Sequence, residues 1–157
     1  MGIIRDRRVS GNRWRHVPEG ADGIAAARGA VTVALADWRL HRDALRVRKA
    51  PVGVRLAPDQ ELDDIVADLR SLAVVVFEFP SFTEGRPYSR ARLLRERHGY
   101  GGEIRALGDV ARDRLAFMER CGFNAFELRG GQSAPASLAA FGEITHVYQS
   151  TARRTAA

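Results

Sequence analysis

The sequence predicts an α/β fold: a single domain with a mainly parallel sheet of βαβ units, a small N-terminal hairpin, and a curvature compatible with half of a (β/α) barrel. Two observations predict it. First, three short apolar runs, 73–79, 103–107 and 124–128, are separated by two helical patterns, 89–98 and 109–121. Strands alternating with helices at this spacing read as consecutive βαβ units. Second, charges interrupt these runs and an earlier one, 52–56, at Arg55, Glu78, Arg105 and Glu127. Right-handed crossovers place successive strands side by side, so the signs alternate across the sheet. A charge inside a buried strand is costly unless paired, and the alternation reads as a ladder. If the residues share a face, Arg105 bridges Glu78 and Glu127.

A chain of 157 residues with 45% hydrophobic content can bury one proper core. The limits read as an N-terminal extension over 1–30, an α/β domain over 31–150 and a frayed tail over 151–157. No apolar run reaches membrane-spanning length and the N-terminus lacks a signal-peptide core, so a cytoplasmic protein without a membrane partner is expected. Cys121 is the only cysteine. That excludes an internal disulfide, a four-cysteine zinc site and an iron–sulfur cluster held wholly by this chain's cysteines.

The net charge of +6 invites a nucleic-acid reading, which the distribution weakens. Of 25 basic residues only Lys49 is lysine. Residues 1–55 hold 12 basic and 5 acidic side chains, 56–85 hold 1 and 7, and 86–157 hold 12 and 7. There is no dense basic run, and aromatics do not interleave with arginine as single-strand binders require. Nucleic acid is not the expected partner.

In chain order, Ile3 to Val17 alternates loosely around Ser10-Gly11-Asn12, the turn of the expected hairpin. Residues 18–29 form a connection, and Val31 to Leu35 a first parallel strand. Ala36 to Arg48 follows as a helix with Trp38, Ala44, Leu45 and Val47 at helical spacing, Trp38 as a core anchor. After the 52–56 strand, Pro58-Asp59 opens a helix whose Leu62, Ile65, Val66 and Leu69 fit the i, i+3, i+4, i+7 template. Its other face carries Glu61, Asp63, Asp64 and Asp68, read as a solvated face, with docking of a basic partner as the sharper alternative. Asp109 is a natural N-cap for the 109–121 helix, and Gly122 followed by Phe123 fits a Schellman ending. A last helix spans 138–148, bent near Gly142.

The long loop 79–89 leaves the carboxyl end of a strand, where ligands of parallel α/β sheets gather. Pro87 suits a first helical turn whose free amides favour an anion. Arg86, Tyr88, Ser89, Arg92, Asp109 and Arg112 all belong to such loops or first turns, and form the candidate anion or ligand site. Structural ion pairing explains the same arginines. Gly99 to Gly102 is glycine-rich but precedes a strand, the wrong context for a dinucleotide loop. No cofactor motif is evident. His16, His41, His98 and His146 lack ligand spacing, so no metal is expected. Cys121 is a candidate redox thiol, although a cysteine near a helix end is more often a packed small residue.

The segments Phe79-Pro-Ser-Phe-Thr-Glu-Gly-Arg-Pro-Tyr-Ser-Arg-Ala-Arg-Leu-Leu-Arg95, Gly102-Glu-Ile-Arg-Ala-Leu-Gly-Asp-Val110 and Arg120-Cys-Gly-Phe-Asn-Ala-Phe126 carry a resemblance. The chain resembles a bacterial family of unknown function whose members are commonly labelled as an oxidoreductase of sulfite reduction. Genes of that family lie among those for assimilatory sulfate reduction, near the sulfite reductase haemoprotein and the phosphoadenylyl-sulfate reductase. The resemblance implies an accessory protein of that pathway, with the haemoprotein or another sulfate-assimilation enzyme as partner. The alternative it implies is an oxidoreductase, or an enzyme binding a sulfur oxyanion or nucleotide, in the same pathway.

Overall fold

The computed structural model describes residues 2–130 and 132–142. Eight strands, β1 (Gly2–Arg5), β2 (Arg8–Gly11), β3 (Arg15–His16), β4 (Val31–Ala34), β5 (Val52–Leu56), β6 (Val74–Phe79), β7 (Glu103–Gly108) and β8 (Ala125–Phe126), form one sheet in the order β2-β1-β8-β7-β6-β5-β4-β3. All pairings from β3 to β8 are parallel, and β1 joins both β2 and β8 antiparallel. The helices are α1 (Leu35–Arg46), α2 (Arg86–Glu96), α3 (Leu115–Cys121) and the single turn α4 (Ala134–Ser137). This is the mainly parallel α/β domain that the alternating runs predict.

The sheet is curled into a half-barrel. In a flat sheet, strands spaced about 4.8 Å apart would hold β3 and β8 roughly 24 Å from each other. Instead His16 of β3 lies 2.7 Å from Glu127, the residue after β8. Side-chain alternation then separates two faces. Val31, Val33, Val54, Leu56, Val75, Phe77, Phe79, Ile104 and Phe126 pack with the helices in the main core. The opposite, concave face carries Val74 and Val76, on which Trp14 packs in a small second cluster. Gly53 allows close strand approach there: a Cβ would sit 2.6 Å from the Val74 carbonyl oxygen.

Residues 2–30 are woven into this sheet, because β1 lies on β8 and β3 on β4. The hairpin turn is Asp6-Arg7, both at positive φ (50° and 61°), and not Ser10-Gly11-Asn12. An Asp-Arg turn lacks the glycine that signals this geometry. Asn124 supplies the holding contacts, its carbonyl accepting from the Asp6 amide at 2.8 Å and its Nδ2 donating to the Asp6 carboxylate at 3.0 Å. After Gly11 the chain leaves the sheet and crosses the concave face through Asn12 and Trp14.

The helix expected after Pro58 is instead two 3-10 turns, Leu62–Asp64 and Val66–Ser71, meeting at Ile65. An i, i+3 repeat suits a 3-10 turn as well as one turn of α-helix, so Leu62 and Ile65 still enter the core. The changed rotation buries Asp68, expected on the solvated face, where it accepts from Trp38 Nε1 at 3.2 Å and meets Arg42 at 3.0 Å. Trp38 is the core anchor expected, fully buried. Asp109 does not cap α3: a 3-10 turn at Arg112–Arg114 intervenes, and Asp109 pairs with Arg129 at 2.8 Å. The Schellman ending forms, with Gly122 at φ 115° and the Phe123 amide donating to the Met118 carbonyl at 3.1 Å. Of the expected last helix, Leu138–Gly142 is a 3-10 turn; its remainder and the 151–157 tail lie outside the described residues.

Candidate functional site

Two places gather polar groups: the strand-end edge and the concave face. At the edge, α2 begins at Arg86, earlier than the expected Ser89, with Pro87 in its first turn. Its free amides are already answered from within the chain. Glu84 accepts from the Arg86 amide at 3.1 Å and from Arg86 Nε and Nη2 at 2.8 and 2.9 Å. The Arg86 side-chain and backbone hydrogen bonds hold the Glu84 carboxyl at about 2. A carboxylate of the chain therefore occupies the place proposed for an external anion.

The other edge candidates face different neighbours. Ser89 Oγ donates back to the Arg86 carbonyl at 3.1 Å. Tyr88 packs between Phe79 and Phe117, with ring centroids 5.4 and 5.0 Å away, and burial pushes its hydroxyl pKa up against the pull of Arg114. Arg92 lies 3.4 Å from Glu96 and 3.9 Å from the Cys121 sulfur. Asp109 is taken by Arg129, and the Arg112 amide donates to Gln132 at 2.8 Å. Cys121 is buried, and burial raises its thiol pKa more than Arg92 and Arg120 lower it, so it is held as a thiol. Among the described residues no cluster of three or more metal-ligating side chains occurs.

The concave face collects all four residues of the ladder, joined differently from the simple alternation. Arg105, with no exposed surface, donates to Glu103 at 2.7 Å through Nε and to Glu127 at 2.7 Å through Nη1. Glu78 lies instead with Arg55, at 3.4 Å. The register explains the exchange: Arg105 stands opposite Val76, and Glu78 opposite Leu107, one side-chain layer further along the strands. Glu103 shares the face of Arg105 by the two-residue repeat and was missed as the opening residue of its run.

His16, Thr32 and Asn12, none of them suggested by spacing, complete the network. Arg55 donates to the Thr32 hydroxyl and carbonyl at 2.9 and 2.7 Å. The Thr32 hydroxyl lies 2.7 Å from His16 Nδ1, and His16 Nε2 lies 2.7 Å from Glu127. Asn12 accepts from Arg105 at 2.9 Å. A continuous chain thus runs Glu78–Arg55–Thr32–His16–Glu127–Arg105–Glu103 across the half-barrel. Hydroxyl, imidazole and carboxylate stand in line as in nucleophilic catalysis. Thr32 is fully buried and its oxygen accepts from Arg55, so the hydroxyl is not presented to a substrate. The arrangement ties the two margins of the parallel strands together.

The network has a titratable member. Burial pushes the Glu127 carboxyl up, but the hydrogen bonds and charges of His16 and Arg105 outweigh it, and its pKa lies below the ordinary 4.5. A carboxylate depressed on folding adds stability that is complete above its unfolded pKa and is lost as pH falls through the folded one. Acid unfolding of Glu127→Gln is therefore expected to be shallower than wild type below about pH 4.5, measured by far-UV circular dichroism. Identical acid limbs would contradict the assignment.

Among the described residues no helix is long and apolar enough to cross a membrane. A family model matches residues 53–157, from the second residue of β5 onward. The chain belongs to this family, described as "Bacterial protein of unknown function (DUF934)". The DUF934 match includes Arg55, Glu78, Glu103, Arg105 and Glu127, whereas Asn12, Trp14, His16 and Thr32 precede it. No curated protein matches the chain.

Proposed function

We propose that this chain is an accessory protein of assimilatory sulfite reduction, working in the cytoplasm with the sulfite reductase haemoprotein or another sulfate-assimilation enzyme. The pathway comes from the family resemblance of the 79–95, 102–110 and 120–126 segments. The observation that favours an accessory part over catalysis is that the candidate reactive groups already hold one another. Glu84 fills the start of α2, Arg129 holds Asp109, and Cys121 is buried as a thiol. On this reading the chain brings no cofactor of its own, and its contribution is docking or assembly beside the reductase.

The second reading, a sulfur-oxyanion or nucleotide-binding enzyme, draws on Arg86, whose side chain is 56% exposed at the start of α2. One experiment separates the two. Purified chain is mixed with sulfite reductase haemoprotein, complex formation is followed by pull-down, and the chain alone is assayed with sulfite and reduced viologen. A complex without turnover by the isolated chain is expected. Turnover by the chain alone, or sulfite binding in calorimetry that Arg86→Ala abolishes, would favour the enzyme.

A further inference from the structure

We propose that the outer edge of β2 is a docking strand, taking an extended partner segment in which acidic and apolar residues alternate. This proposal is independent of the pathway reading. Among the described residues β2 ends the sheet and pairs only with β1. Across the two-residue turn, Arg5 and Arg8 are the hydrogen-bonded pair, Ile4 and Val9 the non-bonded pair, and Ile3 and Ser10 bonded again. Ile4 accordingly turns the other way, to Phe126 of β8. Val9 and Gly11 therefore point their amide and carbonyl groups away from the sheet. Such an edge is a template for strand addition.

The side chains specify the occupant. Arg5 stands directly opposite Arg8 on one face of the hairpin, and like charges in that position repel. Among the described residues neither pairs with a carboxylate, while Arg7 between them is held by Glu119 at 2.6 Å. On the other face Val9 is 44% exposed, an apolar side chain left on the surface. A shallow depression lined by Arg5, Asp6, Arg8, Val9 and Ser10 lies alongside. A strand added to β2 with carboxylates on the arginine face and apolar side chains beside Val9 answers all of these features. A second copy of the hairpin would bring arginines instead, so charge favours a different, acidic partner.

The test uses the full chain and a fluorescent decapeptide alternating Glu and Val, with a Lys/Val counterpart, followed by anisotropy at low salt. The acidic peptide is expected to bind saturably, and the Lys peptide about tenfold or more weaker. Arg8→Glu leaves Arg5 facing an acid and should abolish that preference. Val9→Pro removes an outward amide without touching the β1 ladder and should weaken binding by about tenfold with unchanged thermal unfolding. Amide exchange should slow at Val9 and Gly11 in the complex. If Val9→Pro does not fold, Arg8→Glu decides. No saturable binding, equal binding of both peptides, or binding that neither variant alters would overturn the proposal. So would self-association of the chain through this edge that the acidic peptide cannot displace.

Discussion

Arg105→Met is expected to destabilise the domain by about 3–5 kcal/mol, the loss typical when one partner of a buried ion pair is removed. Methionine fills much of the space of the arginine stem, so the effect reports charge more than volume. Arg105 has no exposed surface, and the side chains of Glu103 and Glu127 are 8% and 16% exposed. Removing the guanidinium leaves two carboxylates without their shared cation in a mostly dry site, and the Glu127 pKa, which Arg105 helps to hold down, should rise. His16 can still answer Glu127, whereas Glu103 loses the cation that meets it through Nε and Nη2. The measurement is the urea midpoint at pH 7, with Arg97→Met, exposed just after the end of α2, as the control, for which about 0.5 kcal/mol is expected. Combining Arg105→Met with Glu103→Gln and Glu127→Gln should restore part of the loss, because no charge is then stranded. A change under 1 kcal/mol for Arg105→Met alone would refute a structural role for the network.

The parts of this fold that could be read in the sequence are those where one physical signal acts alone. The runs at 52–56, 73–79 and 103–107 are apolar because helices cover one face of those strands, and their spacing gives the βαβ order. The four strand charges share the concave face because the two-residue repeat and the parallel register leave little choice once the sheet forms. Their partners were less legible. Pairing of Arg105 with Glu103 rather than Glu78 depends on one layer of stagger between neighbouring strands, which no single strand encodes. His16 enters through curvature: the 2.7 Å contact with Glu127 exists only because the sheet bends its margins together. At the strand-end edge the limit is a different one. Arg86 stands two residues from Glu84, and a flexible acidic neighbour in a loop satisfies a helix start before any ligand arrives.

Arg95→Met should cost nearly as much as Arg105→Met, about 3–5 kcal/mol, although its place in the 89–98 helical pattern suggests an outer face. Arg95 is 4% exposed and lies beneath the end of α2. Its Nε donates to the Gly122 carbonyl at 2.9 Å, and its Nη1 to the Tyr100 and Gly102 carbonyls, both at 2.7 Å. Nη2 reaches Asn124 Oδ1 at 3.2 Å, and the guanidinium lies 5.9 Å from the centre of the Tyr100 ring. One planar fork therefore joins the end of α3, the loop entering β7 and the residue before β8. Asn124 passes the restraint on, accepting from the Ile104 amide at 2.8 Å and donating to Asp6 in the hairpin turn. Methionine would leave these carbonyls without donors, each unmet buried group costing about 1–3 kcal/mol before relaxation. Arg95→Lys should recover little, since one ammonium cannot span acceptors on three segments. Hydrogen exchange gives the distinguishing readout: amides of residues 122–124 and 104 should exchange faster in Arg95→Met, while those of Trp38 and Leu45 in α1 keep their protection. Uniform loss of protection across both regions would mean that Arg95 acts only on global stability. Unchanged exchange at 122–124 would show that the fork does not hold the strand entries at all.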